Sequence, residues 1–189
     1  MDAIDVLFAR RSTGRLTEPG PTAEDLDLIL RAAGAAPDHE ALRPWRFVVL
    51  AGEAKEAFGT VLAEAYDARC AAAGTSLVAA KREKELTKLG RAPVVVTVGC
   101  VPVASRVPEV EQIAAASAAA QNALLAATAL GFGSMWRTGD PCYDEHVKRA
   151  LGLGPTDHLL GFLYLGTVRS EPLPPNEPDL DGLVSTWRP

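Results

Sequence analysis

Three short segments gather the residue types that bind or react. Arg10-Arg11-Ser12 sets two guanidinium groups beside a hydroxyl. Each arginine can donate in a fork and the serine adds another donor, a set suited to a phosphate ester. Cations at a helix end also complement its dipole, so a plain capping role stands beside the anion-binding one. The second segment, Ala36-Pro37-Asp38-His39 with Leu42-Arg43-Pro44-Trp45, holds one of three histidines in a loop bounded by prolines. Such a loop either leaves His39 on the surface or fixes it against a ligand.

The third segment runs Gly131-Phe132-Gly133-Ser134-Met135-Trp136-Arg137-Thr138-Gly139. Its glycines follow a helix instead of opening one, so they form no dinucleotide fingerprint and read as a helix cap and a tight turn. Trp136-Arg137-Thr138 places an aromatic, a cation and a hydroxyl at the end of a strand, where alternation sends Arg137 to the face opposite its neighbours. The chain has no GxSxG, P-loop or HExxH, and no cysteine–histidine pair placed to suggest a nucleophile site. His146 and His158 are isolated, and Cys142 in Asp-Pro-Cys-Tyr reads as a turn residue. A chain without an acid, base or nucleophile motif is either a binder or an enzyme whose bound cofactor carries the chemistry.

The elements that must position these residues follow from periodicity. Asp2 caps a first helix to Ala9 with Ile4, Leu7 and Phe8 on one face. Thr22 and Asp25 form a capping box for a second, with Leu26, Ile29, Leu30 and Ala33 as its stripe, ending near Gly34. A strand is expected over 45–50, a helix over 53–72, and a helix over 77–89 charged on one side. The run Val94-Val95-Val96-Thr97-Val98 reads as a strand covered on both faces. A long alanine-rich helix follows over 108–130 with Gly131 at its C′ position. A strand over 133–137, a helix over 144–151 and a strand over 159–165 complete the order, which is α+β. The proline-rich tail, 168–189, has no core of its own and must dock on its own subunit or a partner; residues 1–189 read as a single domain.

Composition narrows the function class. Of 189 residues, 48% are hydrophobic and 23% charged, as in an ordinary globular chain. Acidic residues number 24 against 19 basic, for a net charge of −5. That sign argues against nucleic acid and anionic membrane surfaces as partners. The uncharged stretch Ile113 to Leu130 approaches the roughly 20 residues of a membrane span. Its Ser117, Gln121, Asn122 and Thr128 make it a buried helix of a soluble protein instead. Three widely spaced cysteines and no Cys/His cluster point away from disulfides and metal. With an acidic start lacking a signal-peptide pattern, the expected compartment is the cytoplasm.

Taken in order, these segments resemble the nitroreductase family. The resemblance is carried by the helix running into Arg10-Arg11-Ser12, by Ala36-Pro37-Asp38-His39 with Pro44-Trp45-Arg46-Phe47, by the alanine-rich helix running into 131–139, and by Gly161-Phe162-Leu163-Tyr164-Leu165-Gly166-Thr167. It covers Met1 to about Thr167 and is nearest to the family's minimal bacterial branch, the YdjA-like NAD(P)H nitroreductases.

The resemblance implies an α+β sandwich around a mixed sheet, an intertwined homodimer, and FMN at the subunit interface. Arg10, Arg11 and Ser12 would take the FMN phosphate and ribityl chain. Trp136, Arg137 and Thr138 would contact the flavin from the same subunit, and His39 from the other, with Pro37 and Leu42 lining the ring. No side chain would act as catalyst, because flavin N5 accepts hydride from NAD(P)H and passes it to a nitroaromatic, quinone or similar acceptor by ping-pong turnover. The stretch 126–131 matches one assigned to nicotinamide nucleotide binding. Ala35, Gly14 and Arg43 depart from the family pattern, which keeps open a flavin-storage role or another flavin reaction such as dehalogenation or dehydrogenation.

Overall fold

The computed structural model describes residues 2–169 and 178–188. Helices α1 (Ala3–Ala9) and α2 (Ala23–Gly34) precede strand β1 (Trp45–Ala51). Then come α3 (Glu53–Ala72), α4 (Ala79–Thr87), β2 (Val94–Cys100) and α5 (Glu109–Ala129). The chain continues through β3 (Gly133–Arg137), α6 (Glu145–Ala150) and β4 (His158–Gly166). The expected capping box of Thr22 with Asp25 forms, and the Asp2 cap closes into a second box with Asp5.

The strands make one sheet in the order β1-β2-β4-β3. Every pairing between named strands is antiparallel. The parallel component that would make the sheet mixed is a single bridge, Ser12 to Ser134, on the outer edge of β3. The central strand β2 is buried along its whole length, which its unbroken valine run requires.

Alternation sorts the core into two layers. Val95, Phe162 and Tyr164 face Phe58 and Leu62 of α3 and Val147 of α6. Val94, Val96, Val98, Leu163 and Leu165 face α2 and α5. On α5 the buried side is chiefly alanine, from Ala115 to Ala127. Small side chains let α2 approach closely enough for Asn122 Nδ2 to donate to Ala32 O at 3.2 Å. Ser117 and Thr128 donate to carbonyls one turn back, and buried Gln112 bonds Val103 and Val107. Ser117, Asn122 and Thr128 of the uncharged stretch thus find partners inside the protein. Among the described residues, no helix is long and apolar enough to cross a membrane.

Two elements differ from their sequence reading. The segment 77–89 is helical only over α4 and tightens into a 3-10 turn, Lys88–Arg91. The apolar stripe of α1 faces outward: Ile4, Leu7 and Phe8 are 60%, 48% and 43% exposed, and only Val6 is buried. Amphipathic periodicity reports that a face needs cover, without saying which chain supplies it. Of the tail, residues 170–177 and 189 lie outside the described residues, and 178–188 are exposed.

Gly161 holds the end of β3 in place. Its φ is +149°, and a Cβ there would lie 2.3 Å from Trp136 Nε1 and 2.7 Å from Arg137 O. The bare backbone lets the Trp136 indole cross β4 and donate to Leu160 O at 3.0 Å. Gly161→Ala should therefore cost about 1–3 kcal/mol, the usual range for overpacking. A urea midpoint equal to that of the wild type would refute this.

Candidate functional site

The N-terminal motif reaches the sheet through a short extended segment. Helix α1 ends at Arg10, whose φ and ψ of −58° and 128° turn the chain out of the helix. Ser12 then bridges Ser134, and Thr13 N donates to Ser134 O at 2.9 Å. The segment continues along β3: a Cβ at Gly14 would lie 3.5 Å from Arg137 Nη2 and 3.7 Å from Met135 Sδ. Leu16 N donates to Arg91 O, and Thr17 and Thr167 exchange backbone hydrogen bonds. The first and third motifs, more than a hundred residues apart in sequence, therefore share one sheet edge.

Arg10, Arg11 and Ser12 line an open cleft of about 350 Å³ with Leu7, Phe8 and Pro178. Arg11 Nη1 donates to Phe8 O at 2.7 Å and Arg10 O at 3.0 Å, so it also caps α1. The helix-capping reading of the arginine pair thus holds for Arg11. Arg10 forms no ion pair among the described residues.

Alternation on β3 splits Trp136 from Arg137. Trp136 packs toward α2 and α5, whereas the Arg137 guanidinium lies 5.5 Å from the centroid of the Tyr164 ring on the opposite face. Arg137 and Thr138 line a second cavity of about 270 Å³. Among the described residues, two buried side-chain polar atoms lack a hydrogen-bond partner, Ser134 Oγ and Arg137 Nε, and both lie on β3. An unpartnered buried polar group is costly and calls for an explanation, a ligand among them.

His39 sits elsewhere. It lines a third cleft, with Glu40, Arg106, Pro108 and Glu111, apart from the two clefts lined by Arg10 and by Arg137. Its Nδ1 is hydrogen-bonded to Glu111 Oε2 at 2.5 Å, Glu40 pairs with Arg106, and Arg43 N donates to Asp38 Oδ2 at 2.6 Å. Among the described residues the non-glycine positions with left-handed backbone are Glu40, Ala41 and Arg43, all in this loop. Such strain persists only where surrounding bonds over-determine it. Pro37 is exposed and Leu42 half-buried. The stretch 126–131 is the last turn of α5 and its cap: Ala127 is buried, and the amides of Leu130 and Gly131 donate to helix carbonyls.

The structure adds side chains that the sequence reading left out. Lys84, Lys88 and Arg91 join Arg137 around its cavity. The charged side of the expected helix over 77–89 was a signal for Lys84 and Lys88, whereas Arg91 lies beyond that helix, in the 3-10 turn. Burial pushes the Cys100 and Cys142 thiols up to about 11, so neither is poised as a nucleophile. Among the described residues no group of three or more His, Cys, Asp or Glu could hold a metal ion.

Comparison with known proteins gives the class. The family model described as "Nitroreductase family" matches residues 7–167. The Escherichia coli (strain K12) protein named "Putative NAD(P)H nitroreductase YdjA" is 40% identical over 172 residues, 88% of each chain. A nitroreductase-like protein of Bacillus cereus superposes with a TM-score of 0.83 at 20% identity, covering 100% of this chain and 97% of that one. A nitroreductase-type protein of Desulfovibrio desulfuricans, solved in complex with FMN, gives 0.73 at 24% identity, covering 100% and 99%. The chain belongs to the nitroreductase family and is an oxidoreductase.

Burial also raises Tyr164 to about 12, opposed by Arg137 and Arg91. Groups whose acidity weakens on folding contribute stability that is complete below their ordinary values and lost as pH rises toward their folded ones. Urea midpoints should thus hold up to about pH 9 and fall between there and about 12. Tyr164→Phe should flatten the part above 10 while leaving the thiol part. A wild-type profile level to pH 12 would refute this.

Proposed function

We propose that this chain is an FMN-dependent oxidoreductase that takes hydride from NAD(P)H and delivers it to nitroaromatic, quinone or similar electrophilic acceptors. The carrying observation is the shared edge of β3, where Ser12 and Gly14 run beside Ser134 and Arg137 and two buried polar atoms lack partners. A dianionic phosphate suits the cleft of Arg10, Arg11 and Ser12. The cavity of Arg137 and Thr138, floored by Phe162 and Tyr164, suits a planar ring. The donor set therefore fits FMN, and Ser12 to Gly14 would follow the ribityl chain between the two spaces.

When bound, FMN supplies the hydride-accepting centre, which accounts for a site without acid, base or nucleophile. The chain's own residues bind and orient. Arg10 and Arg11 neutralise phosphate, Ser12 donates to it, and Arg137 donates to the flavin with its otherwise unpartnered Nε. Trp136 works indirectly in this reading, as the wedge that fixes the β3 end on Leu160 O.

The working form we propose is a homodimer. Its support is the uncovered apolar surface: Ile4, Leu7 and Phe8 on α1, Val110 at 69% exposure, and Leu183 and Trp187 at 76% and 84% in the tail. His39, remote from the Arg10 cleft within one chain, would meet the flavin of a second copy. The clamp by Glu111 and the left-handed turn would hold it there, with Pro37 and Leu42 beside it.

The purified protein should be yellow, bleach with NADPH or NADH without oxygen, and regain colour with a nitroaromatic. A fully loaded flavoprotein that neither nicotinamide reduces would overturn the activity. Arg137→Gln should weaken FMN binding by about tenfold to a hundredfold, since hydrogen bonds to charged groups contribute roughly 1.5–3 kcal/mol. Unchanged affinity in a fluorescence titration would remove Arg137 from the site. Phe8→Glu should shift the sedimenting species from dimer to monomer and release FMN with it. A monomeric variant that still retains FMN would separate cofactor binding from assembly and defeat the interface reading.

A further inference from the structure

The cavity beside Arg137 holds cations to which the reading above gives no role. Lys84 and Glu85 near the end of α4, and Lys88 and Arg91 in the turn after it, line this space with Arg137. Glu85 is engaged by Lys88 at 2.5 Å, so that pair is close to neutral as a unit. Lys84, Arg91 and Arg137 have no ion pair among the described residues. Asp140 is the remaining acid in the lining. An excess of positive charge is thus concentrated in about 270 Å³ of a protein whose net charge is −5.

Two further features bear on what this space receives. Its floor is aromatic, the buried rings of Phe162 and Tyr164, and Arg137 and Arg91 both act on the Tyr164 hydroxyl from the same side of the sheet. The segment leading out of the Arg10 cleft reaches it too, since Gly14 stands beside Arg137 Nη2 and Leu16 is tied to the backbone of Arg91. A ligand anchored by phosphate in the first cleft would extend a planar end into the second. Cations around a planar group favour the form with more negative charge.

Resting on the FMN reading, we propose that Lys84 and Arg91, together with Arg137, form an electrostatic wall that sets the reduction potential of the bound flavin. The hydride from the reduced nicotinamide brings two electrons and one proton. The nicotinamide leaves oxidised, and the flavin ring keeps one negative charge. Lys84 and Arg91 stabilise that charge and make the flavin easier to reduce.

The test equilibrates the FMN-loaded full chain with a dye of known potential. It compares the wild type with Lys84→Gln, Arg91→Gln and Lys81→Gln, the last removing an exposed cation of α4 outside the cavity lining. Lys84→Gln and Arg91→Gln should each shift the equilibrium about threefold to tenfold toward oxidised flavin. For a two-electron couple that is on the order of 15–30 mV more negative. Lys81→Gln should leave it unchanged. Unchanged potentials in both cavity variants with FMN still bound would overturn the proposal, as would an equal shift in Lys81→Gln, which would mark a general charge effect. Weaker FMN binding with no shift in potential would reduce the two residues to holding roles and also overturn it. A wild type that binds no FMN fails earlier, at the functional reading itself, so the two failures are distinguishable.

Discussion

The arrangement depends on one backbone contact, the parallel bridge that pins Ser12 to Ser134 on the free edge of β3. Strand β3 is the last in the sheet and pairs with β4 on one side only. An exposed edge is a liability that proteins cover. Here the cover is the segment after α1, and covering the edge carries Arg10, Arg11 and Ser12 to the neighbourhood of Arg137. Gly161 serves the same junction by leaving room beneath Trp136, while the backbone of Gly14 runs beside the Arg137 guanidinium. Edge protection and assembly of the proposed cofactor cradle are the same event in this chain.

Charge and apolar surface divide the remaining work. An acidic protein that is to hold an anion must gather its cations locally, and the sheet edge gathers them from α1, β3 and the end of α4. The apolar stripe of α1 runs directly into those arginines, so covering it with a second copy would also partly close the Arg10 cleft to solvent. Exclusion of water strengthens every interaction made there. Dimer formation and flavin binding are therefore coupled in the proposed function.

Much of the fold is legible in the sequence because its signals are local. The bounds of α3 and β3, the N-caps of α1 and α2, and the doubly covered β2 all follow from caps, glycines and periodicity. The strand order does not, since no local signal puts β4 between β2 and β3. The outward face of α1 escaped because amphipathic spacing is the same whether a helix buries its stripe in its own chain or in another. The site shows the same limit. Arg10 and Arg137 stand out as residue types, whereas Lys84, on a charged helix face, and Arg91, in the turn after it, read like any solvated cations until the fold turns them toward a cavity. The left-handed turn at Glu40, Ala41 and Arg43 was hidden for a different reason, because no glycine or asparagine advertises it.

The central claim is that two separated motifs of one chain and a loop of a second copy enclose one flavin. A crystal structure of the protein grown with excess FMN tests it most directly. The account expects two chains per assembly, the phosphate on Arg10, Arg11 and Ser12, Arg137 on the flavin of the same chain, and a histidine loop from the other copy closing the site. A flavin held wholly within one chain, or a phosphate bound away from Arg10, would contradict it.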